Sequence, residues 1–154
     1  MRIGILGSGL MGAKLGTIFA RAGHEVVFSY ARSQDKLKKL ARDAGAKAQA
    51  GTPREAAQDA DAVLLAVHWS RFDDVLKQSG DLSGKVIVTC SLPMDDDNTK
   101  LVIGTTTSGA EELAKKSSAS SCCLCFQHRP ERSALRRVRS EAESHPAQSR
   151  VLRR

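Results

Sequence analysis

Aromatic residues are scarce in this chain: one Trp, one Tyr and four Phe, 4% of 154 residues. Proteins that hold single-stranded nucleic acid by stacking its bases need many more rings than that. Long apolar runs are absent as well. No stretch approaches the roughly 20 residues of a membrane-spanning helix. The opening Met1-Arg2-Ile3-Gly4-Ile5-Leu6 meets glycine too early to build the apolar segment of a signal peptide. A cytoplasmic protein with no membrane partner is expected.

Positive charge is plentiful, a net +7, but it is unevenly spread. Residues 1–116 carry 16 Lys+Arg against 14 Asp+Glu, while residues 117–154 carry eight Arg, no Lys and three Glu. Three of the four cysteines, Cys122, Cys123 and Cys125, also lie in the second stretch. The chain therefore reads as two pieces, a balanced domain at 1–116 and a basic Ser/Arg/Cys-rich tail at 117–154. Since the basicity belongs to the tail, the domain is not expected to bind nucleic acid.

Within the domain, Ile3-Gly4-Ile5-Leu6 reads as a short buried parallel strand. It runs straight into Gly7-Ser8-Gly9-Leu10-Met11-Gly12, a G-x-G-x-x-G sequence. Leu15, Ile18, Phe19 and Ala22 then fall at helical spacing, and Gly23 stands where a left-handed helix terminus belongs. His24 to Tyr30 follows as a second strand. Strand, glycine turn, helix and strand within about thirty residues is the dinucleotide-binding fingerprint. Gly7 permits the tight turn, Gly9 lets backbone approach a pyrophosphate, and Gly12 lets the helix pack close to its strand. The helix N-terminus offers unpaired N–H groups and the positive end of its dipole to the phosphates.

The most informative absence comes at the end of the second strand. A site for NAD usually carries an acid there, about 20 residues past the glycines, to hold the ribose 2′-hydroxyl. Ser29-Tyr30-Ala31-Arg32-Ser33 contains none. Arg32, with Ser29 or Ser33 and Lys36, instead suits a 2′-phosphate, because a guanidinium fork matches phosphate oxygens. NADP(H) is the expected cofactor.

The alternation continues. A helix is predicted from Asp35 to about Ala44, with Leu37, Leu40 and Ala41 on one face, and a short third strand at Gly45–Ala48. A helix then starts at Thr52-Pro53-Arg54-Glu55. Ala62–Val67 and Lys85–Cys90 read as the fourth and fifth strands, with Ser70 capping a helix between them. The fold class is α/β, a doubly wound parallel sheet of the Rossmann type, ending after about five strands. Ligands in such sheets sit beyond the carboxyl ends of the strands. That places Val67-His68-Trp69 and Cys90-Ser91-Leu92-Pro93 on the cofactor side. His68 reads as a loop histidine beside the cofactor, Cys90 as a small core residue, and Asp95-Asp96-Asp97 as a solvated loop rather than a metal cluster. No catalytic acid, base or nucleophile stands out, and hydride transfer requires none.

Met1 to Gly12, Val27-Phe28-Ser29, Leu65-Ala66-Val67 followed by Trp69, and Thr106 to Ala114 together resemble NADPH-dependent reductases of the deazaflavin coenzyme F-420. The N-terminal domain of pyrroline-carboxylate reductase and the cytoplasmic domain of membrane metalloreductases look similar at lower specificity. The resemblance covers residues 1–116. It implies an oxidoreductase passing hydride between NADP(H) and a deazaflavin, a small-molecule hydride acceptor. It also implies a second domain that completes the substrate site and a homodimer. By the same resemblance Ser8, Gly9, Leu10 and Met11 cradle the pyrophosphate and Ser29, Arg32 and Lys36 meet the 2′-phosphate. Val67 and Cys90 line the nicotinamide half. His68 departs from the pattern, since relatives commonly have proline there.

The tail does not fit that continuation. Cys122 to Cys125 with His128 makes half a zinc site, but a structural zinc wants four ligands and only His145 remains. No metal is expected. Codons exist for Cys125 to Arg136 whose reading one base later spells Ala-Phe-Asn-Thr-Val-Pro-Ser-Glu-Val-Leu-Phe, and the resemblance implies an apolar strand ending in Ala-Phe-Asn-Thr-Val-Pro. The tail is therefore expected to be an out-of-frame product of a one-base shift near codon 117, and to be disordered. Two other readings stay open: a non-catalytic NADP(H)-binding module, and binding of nucleic acid or metal through the tail.

Overall fold

Apolar side chains on alternate residues of the central strands point to opposite faces, so each strand must be covered on both sides. In the computed structural model, which describes residues 1–103, 106–117 and 123–125, that is the arrangement found. The strands are β1 (Arg2–Leu6), β2 (Glu25–Ser29), β3 (Ala48–Ala50), β4 (Ala62–Leu65), β5 (Val86–Thr89) and β6 (Cys123–Cys125). They form one sheet in the order β3-β2-β1-β4-β5-β6, with every pairing parallel. This is the doubly wound order, whose crevice opens where the winding reverses between β1 and β4.

The helices are α1 (Leu10–Arg21), α2 (Gln34–Ala44), α3 (Pro53–Gln58), α4 (Phe72–Ser79) and α5 (Gly109–Ser117), with a 3-10 turn at Trp69–Arg71. One core lies between the sheet and α1 with α2, built from Ile3, Ile5, Val26, Phe28, Leu37, Ala41 and Leu64. The other lies on the opposite face, where Leu6, Val27, Val63, Leu65 and Ile87 meet Ala56, Phe72, Val75 and Leu113. Among the described residues no helix is long and apolar enough to cross a membrane.

Several local expectations shift in three dimensions. The buried face of α1 is not the line through Ile18 and Ala22 but the small residues Gly12, Gly16 and Ala20, while Ile18 is 59% exposed. The cause is proximity, because a β-carbon at Gly16 would stand 2.3 Å from Cε1 of Phe28. Leu15 and Phe19 flank that seam. The third strand comes three residues later than Gly45, since Gly45 (φ 118°) terminates α2. Ser70 does not cap a long helix; it sits inside the 3-10 turn, and α4 begins at Phe72.

Thr52 behaves as its sequence context predicts. Its hydroxyl accepts the Glu55 amide, and Glu55 accepts the Thr52 amide at 2.7 Å, a reciprocal capping box with Pro53 at the first turn. Gly23 (φ 95°) ends α1, its N–H donating to the Ala20 carbonyl.

The five expected strands, β1 to β5, make up the sheet of the domain. Cys123–Cys125 lies beside β5, with Ile87 opposite Cys123 and Thr89 opposite Cys125, so that edge of β5 is paired. Ser117 closes α5, one residue past the boundary drawn from composition. Residues 118–122 and 126–154 of the tail, among them Cys122, His128 and His145 considered for zinc, lie outside the described residues, and the disorder expected of those stretches falls outside them as well.

Candidate functional site

The carboxyl ends of β1, β2, β4 and β5 converge on one rim of the sheet. The turn after β1 is held by its neighbours: the Gly7 N–H donates to the Ser29 carbonyl and the Ser8 N–H to that of Tyr30, both at 3.2 Å. Gly7 has φ 113°, a conformation that favours glycine, and a β-carbon there would meet the Ala66 carbonyl at 2.5 Å. A β-carbon at Gly12 would lie 1.8 Å from the Gly7 carbonyl oxygen. These two glycines are required by the packing of the chain itself.

Gly9 is different. Its φ is −73°, which any residue adopts, and a β-carbon there would meet nothing within 4 Å among the described residues. Neither conformation nor contact within the chain demands glycine. The surface is left bare directly before α1, whose N-terminus has no side-chain cap and no acidic residue in its first turn. The first intrahelical bond runs from the Ala13 N–H to the Gly9 carbonyl, so the amides of Leu10, Met11 and Gly12 have no intrahelical acceptor. By contrast α3 is capped by Thr52 with Glu55, and α5 by Ser108 with Glu111. The α1 terminus and Gly9 together fit a phosphate-bearing ligand. Leu10 and Met11 stand exposed beside them.

Two of the expected phosphate ligands are spent elsewhere. Ser8 is buried, and its hydroxyl donates to the Ser29 carbonyl at 2.9 Å. Ser29 is fully buried, and its hydroxyl donates to the Ile5 carbonyl at 2.8 Å. Both hydroxyls stitch β1 to β2, so the assignment of Ser29 to the 2′-phosphate is corrected. The reason is that Ser29 is the last residue of β2, a strand covered on both faces of the sheet, whereas Arg32 and Ser33 lie beyond that cover and are exposed.

Arg32, Ser33 and Lys36 are exposed, on the loop after β2 and the first turn of α2. Among the described residues Arg32 and Lys36 form no ion pair. Ser33 is the N-cap residue of α2, yet its hydroxyl makes no capping bond. No carboxylate lies between Ser29 and Ser33.

The opposite half of the rim is built by β4 and β5. Ser91 donates its hydroxyl to the Val67 carbonyl and its N–H to Thr89 Oγ1 at 3.2 Å, which locks the two strand ends together. Val67 and Cys90 are half-buried there, and burial pushes the Cys90 thiol up, so it stays protonated. His68 Nε2 lies 3.0 Å from Asn98 Oδ1, and Nδ1 lies 3.0 Å from Ser70 Oγ. An amide oxygen only accepts, so the ring proton is on Nε2 and Nδ1 accepts. His68 therefore clasps the loop that follows β5 to the end of β4. In that loop Asp95 accepts the Thr99 and Lys100 amides, which hold its carboxyl below the usual range. Gly109, where α5 begins, packs against Pro93 and Trp69.

The sequence offered no role for Tyr30 or Asn98, and put Ser91 on the cofactor side without a partner. Each acts through a partner distant in sequence; for Tyr30 and Ser91 the available signal was a position just past a strand, and for Asn98 there was none. An open groove of about 1050 Å³, lined by Lys38, Arg42 and Gln49 among others, lies between α2 and β3. It contains none of the residues at the glycine turn.

Comparison with known proteins agrees with this geometry. The family of coenzyme F-420-dependent NADP oxidoreductases matches residues 2–93. No curated protein matches significantly. Among solved structures, a provisionally assigned F-420-dependent NADP reductase from Arthrobacter sp. FB24 superposes with a TM-score of 0.70 at 21% identity. It is covered over 81% of this chain and 61% of its own length. A hypothetical protein from Sinorhizobium meliloti gives 0.69 at 22% identity, covering 87% of this chain and 65% of that one. Pyrroline carboxylate reductase from Plasmodium falciparum, solved with NADP bound, gives 0.53 at 13% identity, covering 81% and 41%. At these identities the structures share the fold, and this chain spans less than two thirds of each. The family match, by contrast, covers more than half of the chain, including the glycine turn, Arg32 and the ends of β4 and β5. The chain belongs to the family of coenzyme F-420-dependent NADP oxidoreductases.

Proposed function

We propose that this chain binds NADP(H) as the cofactor domain of an oxidoreductase that transfers hydride between the nicotinamide and a deazaflavin-type coenzyme. The observation that carries the reading is Gly9, a glycine its own chain does not require, placed before an uncapped helix N-terminus. The backbone of Gly9, Leu10 and Met11 would receive the pyrophosphate. Arg32, with Ser33 and Lys36, would receive the 2′-phosphate. Val67, His68 and Cys90 would wall the nicotinamide end. When bound, the cofactor supplies the hydride chemistry, and the residues of the chain bind it, orient it and exclude water.

The acceptor is proposed to be a small molecule, with no role for nucleic acid. The chain spans 61% of the Arthrobacter structure. In the proposed reading the remainder of the substrate site and the homodimer contact belong to a further domain. The out-of-frame origin of the tail is part of this reading, and the DNA sequence around codon 117 tests it.

Titration with NADPH and NADH tests the cofactor assignment, and NADPH must bind more tightly. Deazaflavin reduction by NADPH, followed by absorbance in the frame-repaired protein, tests the reaction. NADPH binding with no reduction would leave a binding module without chemistry.

A further inference from the structure

We infer that Tyr30 is a positioning residue for cofactor selectivity: tethered to Asp74, it fixes the direction in which the chain carrying Arg32 leaves the sheet. The inference rests on the NADP(H) reading and adds to it a residue that contacts no phosphate. Tyr30 is the first residue after β2, and its φ is 55°. That left-handed conformation suits glycine, or asparagine at lower cost, and is uncommon for a bulky side chain. A tyrosine there needs a reason beyond the turn.

The tether supplies it. The Tyr30 hydroxyl donates to Asp74 Oδ2 in the first turn of α4, 44 residues away in sequence. The ring lies against the same core as Val67 and Trp69. The other oxygen of Asp74, Oδ1, accepts from Gln78 Nε2 at 3.0 Å, so the carboxylate is held from two sides. At the other end of the residue, the Tyr30 carbonyl accepts the Ser8 N–H at 3.2 Å. One residue thus joins the glycine turn, helix α4 and the loop that presents Arg32. Glycine or asparagine would relax the backbone yet could not span to α4.

Loss of the tether frees the turn at Tyr30 and spreads the positions open to Arg32 two residues later. The 2′-phosphate feels that spread, whereas the pyrophosphate, received at α1, does not. Tyr30→Phe keeps the ring and removes the hydroxyl. It should weaken NADPH roughly 3- to 10-fold, the range of one ordinary hydrogen bond, with NADH changed by less than about 2-fold. Asp74→Ala should do the same from the surface of α4, and Asp74→Asn, which keeps an acceptor, should restore selectivity. The double variant Tyr30→Phe/Asp74→Ala should be no worse than either single one, since the two act through one bond.

Calorimetric titration with both cofactors, alongside melting curves, reads all of these. A merely structural role would lower the melting temperature and weaken both cofactors together. If the unsubstituted protein prefers NADPH while Tyr30→Phe and Asp74→Ala keep that preference, the inference is overturned and the cofactor reading stands. If the unsubstituted protein binds both equally, the cofactor reading fails first. Should Tyr30→Phe not fold, Asp74→Ala decides the matter, because Asp74 is exposed.

Discussion

A β-carbon on Gly12 would stand 1.8 Å from the carbonyl oxygen of Gly7, while one on Gly9, between them, would meet no atom of the described residues within 4 Å. Glycines of one motif therefore answer to different constraints. Gly12 lets α1 close on the turn; Gly9 leaves backbone uncovered at the helix N-terminus.

The two should separate on substitution. Gly9→Ala is expected to leave the melting temperature nearly unchanged and to weaken both NADPH and NADH, because its methyl group enters the space proposed for the pyrophosphate. Gly12→Ala should destabilise the fold, since the backbone of Gly7 must move; overpacking of this kind costs about 1–3 kcal/mol or more. Paired melting and binding curves check this. A Gly9→Ala protein that binds both cofactors normally would remove the main support for the site.

Arg32 should act on one cofactor only. A hydrogen bond to a charged group contributes about 1.5–3 kcal/mol, so Arg32→Ala should weaken NADPH roughly 10- to 150-fold. NADH, without the extra phosphate, should be nearly unaffected. The penalty should shrink as salt rises, because Arg32 is exposed and its field is screened. Equal loss of both cofactors would instead assign Arg32 to the fold.

The Thr52 cap carries a pH signature. The Thr52 amide and hydroxyl hold the Glu55 carboxyl below its ordinary range. A carboxyl whose folded pKa is depressed stabilises the fold above its unfolded pKa and loses that contribution as pH falls through the folded value. Glu55→Ala should therefore lower the melting temperature at pH 7 and matter progressively less below about pH 4.5. Thr52→Ala, which deletes the cap itself, should cost about 1 kcal/mol at neutral pH. Thermal melts across that range test both.

The α1 seam predicts a size exchange. Gly16 faces the ring of Phe28, where a β-carbon would come within 2.3 Å. Gly16→Ala alone should destabilise by about 1–3 kcal/mol. Phe28→Leu alone should also destabilise, by opening space beneath α1. Combined, they should be less harmful than the sum, because residues in contact couple. Strict additivity in chemical denaturation would show that α1 shifts rather than packs against Phe28.

The rim of the site was legible because its signals are local. The G-x-G-x-x-G spacing, the apolar run before it and the missing acid near Arg32 each lie within one short segment. The fate of Ser29 was not legible. Its hydroxyl goes to Ile5, 24 residues back, and only the pairing of β1 with β2 shows that it faces inward. His68 reads as a lone loop histidine until the loop after β5 brings Asn98 to within 3.0 Å of its ring.

By itself the sequence determined which segments become strands and helices, that they alternate into a parallel sheet, and where a dinucleotide would approach it. Those outcomes follow from periodicity, glycine spacing and capping residues, all properties of neighbours along the chain. The tertiary structure decided which face of α1 is buried, that Ser8 and Ser29 are internal, and that Tyr30 is tied to Asp74. It also decided that Cys123–Cys125 pairs with β5. Each of these depends on how closely two distant segments approach. That distance is set by the packing of the whole sheet against its helices and is written in no single stretch of residues.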